Sequence, residues 1–179
     1  MSIVFGAARQ AGFVVSDLER ALAFWTETLG IGPFYVASEI TFHNFIYRGQ
    51  PSASPIVSLA FAQSGGLQIE LIQQHNDAPS AYREFLSSGR EGMQHLSSWF
   101  DNHDAYDQTR ATMLAQGMKI VHEVTSDDHS PRFVYFETGR AHAPLIELSE
   151  ALLPGIRGVP DAVAAAAENW DRSAPIRYL

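Results

Sequence analysis

The sequence contains no cysteine. That excludes disulfides, thiolate metal sites and a cysteine nucleophile. Any metal site must therefore draw on His, Asp, Glu, Asn, Gln or backbone oxygens, which suit a hard or borderline ion. Positive charge is scarce: 12 Lys and Arg stand against 20 Asp and Glu, for a formal net charge of −8. Phosphate backbones and anionic membrane surfaces both need a basic face, so neither nucleic acid nor a membrane is an expected partner. A small anionic substrate stays open, because a pocket's local charge can differ from the global one. No run approaches the ~18 apolar residues of a membrane span. Residues Met1 to Arg9 lack a basic segment leading into a long apolar stretch, so no signal peptide is expected and a cytoplasmic location is the default.

What is present is enough apolar material for a core, with 46% hydrophobic residues in a chain of 179. Gln10 to Val15 reads as a short buried strand. Ser16 and Asp17 supply a helix N-cap, and Leu18, Ala21, Leu22, Trp25 and Leu29 follow on one helical face that Gly30 ends. Strands are expected at Phe34 to Ser38, about His43 to Arg48, Ile56 to Ala62 and Leu67 to Ile72; in the last, Gln68, Glu70 and Ile72 share a face. Ala78 to Ser87 is expected to be a connecting helix with Pro79 in its first turn. The order then repeats: a strand from Gln94 to Phe100, capping residues at Asp101 to Asp104, a helix ending at Gly117, and strands at Met118 to Val124, Arg132 to Glu137 and Pro144 to Leu148.

The expected fold is therefore α+β: two βαβββ modules forming a curved mixed sheet around a central metal cleft, with a C-terminal helix. The expected divisions are a first module over residues 1–75, a connecting helix and loop over 76–92, a second module over 93–150 and a helical tail over 151–179. The tail helix, Pro160 to Trp170, carries Val163, Ala167 and Trp170 on one face and is read as a packing or dimer element.

The duplication places chemistry-bearing residues at matching points. Gln10 opens the first strand of the first module and Glu70 lies on its last; His95 opens the first strand of the second and Glu147 lies on its last. A carboxylate flanked by Ile and Leu on a strand is costly to bury unless paired or metal-bound. The plain alternative, that each glutamate simply faces solvent from an amphipathic strand, weakens when two glutamates occupy equivalent places beside a His and a Gln. His43, Phe45, Tyr47, Phe61, Trp99, Phe133 and Tyr135 are candidates to line an apolar cleft or the core, while His75, His103, His122, His129 and His142 read as loop or surface groups.

The stretch from Gln10 to Trp25, a Gln followed by a strand and an Asp17-Leu18 helix start, resembles the opening of vicinal-oxygen-chelate proteins, the glyoxalase, bleomycin resistance and dioxygenase superfamily. Gly92 to Leu96 is similar to the start of that family's second module, and Phe133 to Leu148 to its final hairpin. The resemblance implies four metal-ligand positions, which fall on Gln10, Glu70, His95 and Glu147, a pattern similar to glyoxalase I and to methylmalonyl-CoA epimerases. It implies one divalent ion, Zn first, with Ni, Co, Mn or Fe as alternatives. It also implies an isomerase, epimerase or lyase that shifts a proton next to a metal-chelated carbonyl, with Glu147 as main base and Glu70 as second proton-handling group. The arginines expected of a glutathione site have no clear match; Arg9 and Arg90 lie nearby. The other functions open to this family are an iron-dependent ring-cleaving dioxygenase, which a Gln in place of a ligand His disfavours, and a non-catalytic drug-binding protein. The expected partner is a small molecule, and the exposed sheet edges suggest a homodimer.

Overall fold

The apolar run at the start of the chain forms β1 (Gln10–Val14), and Asp17 then caps α1 (Leu18–Ala23) by accepting the Arg20 backbone N–H through its side chain. In this computed structural model, which describes residues 4–126, 131–140 and 143–179, α1 widens into a π-helical turn over Phe24–Thr28. That turn rotates the apolar stripe: Leu18 and Leu22 are buried, but Leu29, expected on the same face, is exposed. The chain returns through β2 (Phe34–Ile40), β3 (Phe45–Tyr47), β4 (Gln50–Pro51), β5 (Val57–Ser64) and β6 (Leu67–Gln74). The connecting helix α2 (Ala81–Ser87) begins later than its sequence suggests. Ser80 caps it by accepting from Arg83 N–H, so Pro79 precedes the helix instead of sitting in its first turn.

The second round follows as β7 (Gly92–Trp99), α3 (His103–Ala115) capped by Asn102, β8 (Lys119–Val124), β9 (Phe133–Glu137) and β10 (Leu145–Ser149). The tail adds α4 (Gly158–Ala167), which stops short of Trp170, and a strand with no signal in the sequence reading, β11 (Ile176–Tyr178). Among the described residues no helix is long and apolar enough to cross a membrane.

Among the described residues, eleven strands join one curved sheet in the order β11-β2-β5-β6-β1-β7-β10-β9-β8-β3-β4. The two rounds are related about the antiparallel β1–β7 pair. Each has its first strand parallel to its last (β1 with β6, β7 with β10), then two antiparallel steps outward. The fold is α+β, with a C-terminal helix against β5. One departure is that β3 leaves its own round and pairs with β8 at the far side of the sheet.

Candidate functional site

Register decides which side chains meet. Cross-strand partners share a face. Gln10 is paired with Gln68 and Ser97, Gly12 with Glu70 and His95, and Glu147 with Ser97 and Tyr135. The four residues singled out in the sequence, Gln10, Glu70, His95 and Glu147, therefore lie on one face of four adjacent strands, and all four are buried. His95 Nε2 lies 3.3 Å from Glu70 Oε2 and 3.4 Å from Glu147 Oε2. Gln10 does not touch that triad directly; its Nε2 donates to Gln68 Oε1 at 2.8 Å.

His95 is held from three sides. Gly12 stands directly beneath its ring: a Cβ there would sit 1.8 Å from His95 Cε1, so only glycine leaves the imidazole its place. Tyr135 packs edge-on at a centroid distance of 4.7 Å and places its hydroxyl 3.3 Å from Nε2. Gln94 donates its Nε2 to Ala81 O at 2.7 Å, which turns its Oε1 toward His95 Nδ1 at 3.2 Å. An N–H on Nδ1 donating to Gln94 leaves Nε2 as the nitrogen that faces the carboxylates, the arrangement by which outer partners orient a ligating histidine.

The charges are strongly coupled. Burial opposes the His95 imidazolium, but Glu147 and Glu70 outweigh it and push its pKa up to about 9. Burial raises Glu70 above the usual carboxylate range, opposed by His95 and reinforced by Glu147. Tyr82 donates to the Tyr135 hydroxyl at 3.3 Å, and burial beside the glutamates keeps both phenols protonated far above their ordinary value.

The glutamates open into a cavity of about 270 Å³ whose walls include Gln10, Gln68, Phe61, Trp99, Phe133 and Tyr135. Ile156, Val159 and Pro160 also line it, so the start of α4, read in the sequence as a packing or dimer element, forms part of its wall. A larger cavity of about 500 Å³ lies between α2 and the β9–β10 connection, with Arg90 and Arg140 on its rim, and none of the four residues lines it. Buried carboxylates, not volume, make the smaller one the candidate site.

Several sequence expectations change here. His122 is neither a loop nor a surface group. It is fully buried, 4.3 Å from Tyr135 between ring centroids, because its register with Tyr135 turns it onto the inner face. Burial first, and the positive charge of His95 second, lower its pKa to about 3. His103, at the start of α3, forms an ion pair with the buried Glu150, and His75 Nε2 lies 2.8 Å from Ser58 Oγ. His43 is exposed, and Phe45 and Tyr47 pack away from the cavity; Phe61, Trp99, Phe133 and Tyr135 do line it. His129 and His142 lie outside the described residues. Arg9 and Arg90 are both exposed. The sequence reading missed Gly12 and the Tyr82 hydroxyl. For Gly12 the usable signal was its position two residues after Gln10, on the same strand face.

The fold and this inner face set the terms for comparison. A family model described as the glyoxalase/bleomycin resistance protein/dioxygenase superfamily matches residues 9–136. The chain belongs to that superfamily. Solved structures of similar fold include methylmalonyl-CoA epimerase from Mycobacterium tuberculosis, at 22% identity and a TM-score of 0.52 over 83% of this chain and 91% of that one. A hypothetical protein from Bacillus halodurans aligns at 15% identity and a TM-score of 0.54, covering 80% of this chain and 92% of its own. At these identities the likeness is one of fold. No curated protein matches the chain by sequence.

Superfamily membership raises the question of a metal. Among the described residues no group of three or more His, Asp or Glu side chains stands spaced to enclose an ion. The donors nonetheless fit one in kind. A nitrogen and two carboxylates meet with N–O separations of 3.3 and 3.4 Å, near the ~3–3.4 Å between neighbouring ligands of an ion bonded at about 2.1 Å. Glu147 Oε2 is buried 3.4 Å from His95 Nε2 and accepts no aligned hydrogen bond, so it keeps acceptor capacity that an ion beside the histidine could use. Closing on an ion requires the two carboxylates to turn toward a common point.

Proposed function

We propose that the chain is a divalent-metal-dependent isomerase, epimerase or lyase that moves a proton on a carbon next to a carbonyl. Gln10, Glu70, His95 and Glu147 hold the ion, with Zn first and Ni, Co, Mn or Fe as alternatives. The observation that carries this reading is the buried triad: His95 flanked by two glutamates, one with an oxygen that accepts no aligned hydrogen bond, at the base of a cavity. The ion, when bound, supplies Lewis-acid stabilisation of the negative charge that develops on the carbonyl oxygen.

The residues divide the remaining work. Glu147 takes the proton from carbon: it lines the cavity with Trp99 and Tyr135, and its Oε2, 3.4 Å from His95 Nε2, accepts no aligned hydrogen bond. Glu70, raised toward its protonated form by burial, returns a proton from β6. Strands β1 and β7 separate Glu70 on β6 from Glu147 on β10, and His95 lies between the two carboxylates. Gly12, Gln94 and Tyr135 keep His95 in one orientation, and the α4 wall limits water.

One His with two Glu is a poor match to the two-His, one-carboxylate iron site of ring-cleaving dioxygenases. Two buried carboxylates are an expensive lining for a protein that only sequesters drugs. A homodimer and a cytoplasmic location remain part of the reading.

The test is proton exchange. Wild-type protein loaded with Zn, Ni or Co is expected to exchange the α-proton of an α-hydroxyketone with D2O, followed by NMR. Glu147→Gln is expected to reduce the rate at least about 100-fold with an unchanged circular dichroism spectrum. Exchange that survives Glu147→Gln or exhaustive chelation overturns the reading.

A further inference from the structure

We infer that the buried part of the substrate is compact and uncharged, a flat or apolar group joined to the oxygens that reach the glutamates, so that the site excludes thioester and peptide conjugates whose charged arms would have to lie inside it. This rests on the reading of the cavity as the active site.

Charge comes first. All 12 Lys and Arg of the chain fall among the described residues, and none lines the 270 Å³ cavity. Its polar groups are the two glutamates, two glutamine amides, tyrosine hydroxyls, Ser149 and the Trp99 indole. The negative charge already present and the lack of any Lys or Arg in the lining leave a carboxylate or phosphate held inside the cavity without a guanidinium or ammonium partner. The arginines lie elsewhere: Arg90 and Arg140 line the larger cavity behind α2.

Shape is the second restriction. The volume falls just below the ~300–1,000 Å³ typical of pockets for drug-sized ligands. Its open side is crossed by the tail, and the tail is pinned at both ends. Before α4, Leu152 N–H donates to Phe100 O and Leu153 is buried. After it, Trp170 packs on Gly32, where a Cβ would come within 2.7 Å of the indole, and β11 adds to the sheet beside β2. The helix between these anchors buries Val163 and presents Val159 and Pro160 to the cavity. The part of the wall that the tail supplies is thus apolar and held at each end. Phe61, Phe133 and Trp99 complete a surface suited to a ring or short alkyl group.

The experiment compares three probes by tryptophan fluorescence titration of the full-length, Zn-loaded protein: α-hydroxyacetophenone, the same molecule with a para-carboxylate, and methylmalonyl-CoA. The para-carboxylate keeps the chelating oxygens and adds charge only at the far end. The neutral probe is expected to bind at least tenfold more tightly than either other. In Val159→Arg, which places a cation on the tail's part of the wall from a partly exposed position, the para-carboxylate is expected to gain at least tenfold in affinity. Equal or tighter binding of the carboxylate or of methylmalonyl-CoA by the wild type overturns the inference, as does failure of the neutral probe to bind at millimolar concentration. Binding without proton exchange leaves the substrate class intact and defeats the proposed reaction, so the two failures are distinguishable.

Discussion

The two halves of the sheet repeat one ladder and fill it differently. In the first half, Gln10 begins the inner strand, and Phe61 is the cross-strand partner of Glu70. Tyr35 sits beyond Phe61, half-buried, its hydroxyl accepting from Arg177. In the second half the corresponding places hold His95, Tyr135 and His122, all fully or almost fully buried. At the seam the copies cross: His95 lies over Gly12 and Gln10 lies opposite Ser97, so each long polar side chain meets a small residue contributed by the other half. The second half supplies the nitrogen and hydroxyl groups; the first supplies an amide, a carboxylate and the space. Near-symmetric backbones thus need not give symmetric chemistry, because one methyl group's worth of room at the seam decides where an imidazole can lie.

The most damaging way to break this arrangement is to fill that room. Gly12→Ala puts a Cβ inside the His95 ring and is expected to cost about 3 kcal/mol in denaturant unfolding, at the upper end for overpacking. Proton exchange should be lost with it.

Acid sharpens the difference between Tyr35 and His122. The folded protein holds His122 neutral down to about 3, whereas the unfolded chain accepts the proton near 6.5. The unfolded state therefore binds more protons as pH falls. The His122 contribution is intact above about 6.5 and is lost below it, at about 1.4 kcal/mol per pH unit, until about 3. Unfolding curves of wild type and His122→Phe between pH 7 and 4 should diverge with that slope, the variant losing less. Parallel curves would show that His122 is not kept neutral by its burial.

The smallest effect is expected at the other crossing. Ser97 Oγ is buried without a hydrogen-bond partner, so Ser97→Ala removes an unsatisfied group and should raise stability by up to about 1 kcal/mol in the same assay. A large loss would mean that the hydroxyl has a partner in solution and that the two crossings are more alike than their geometry indicates.

Much of this was legible from local pattern. Alternation in β6 placed Gln68, Glu70 and Ile72 on one face, and the strand-helix-strand order recurred clearly enough to set Gln10 against His95 and Glu70 against Glu147. What failed did so where the deciding neighbour was distant in sequence. His122 looked like a surface histidine because only its pairing with β9 turns it inward, and Leu29 left its expected face because the π-helical turn changed the helical phase.

The sequence by itself determined the elements, the duplication and the family, since these follow from periodicities and caps that act over a few residues. Tertiary structure alone decided that Gly12 makes room for His95, that one oxygen of Glu147 accepts no aligned hydrogen bond and that the tail forms part of the cavity wall. Each of those depends on strands brought side by side, and burial and steric exclusion at such a seam are properties of the assembled pair that neither strand carries alone.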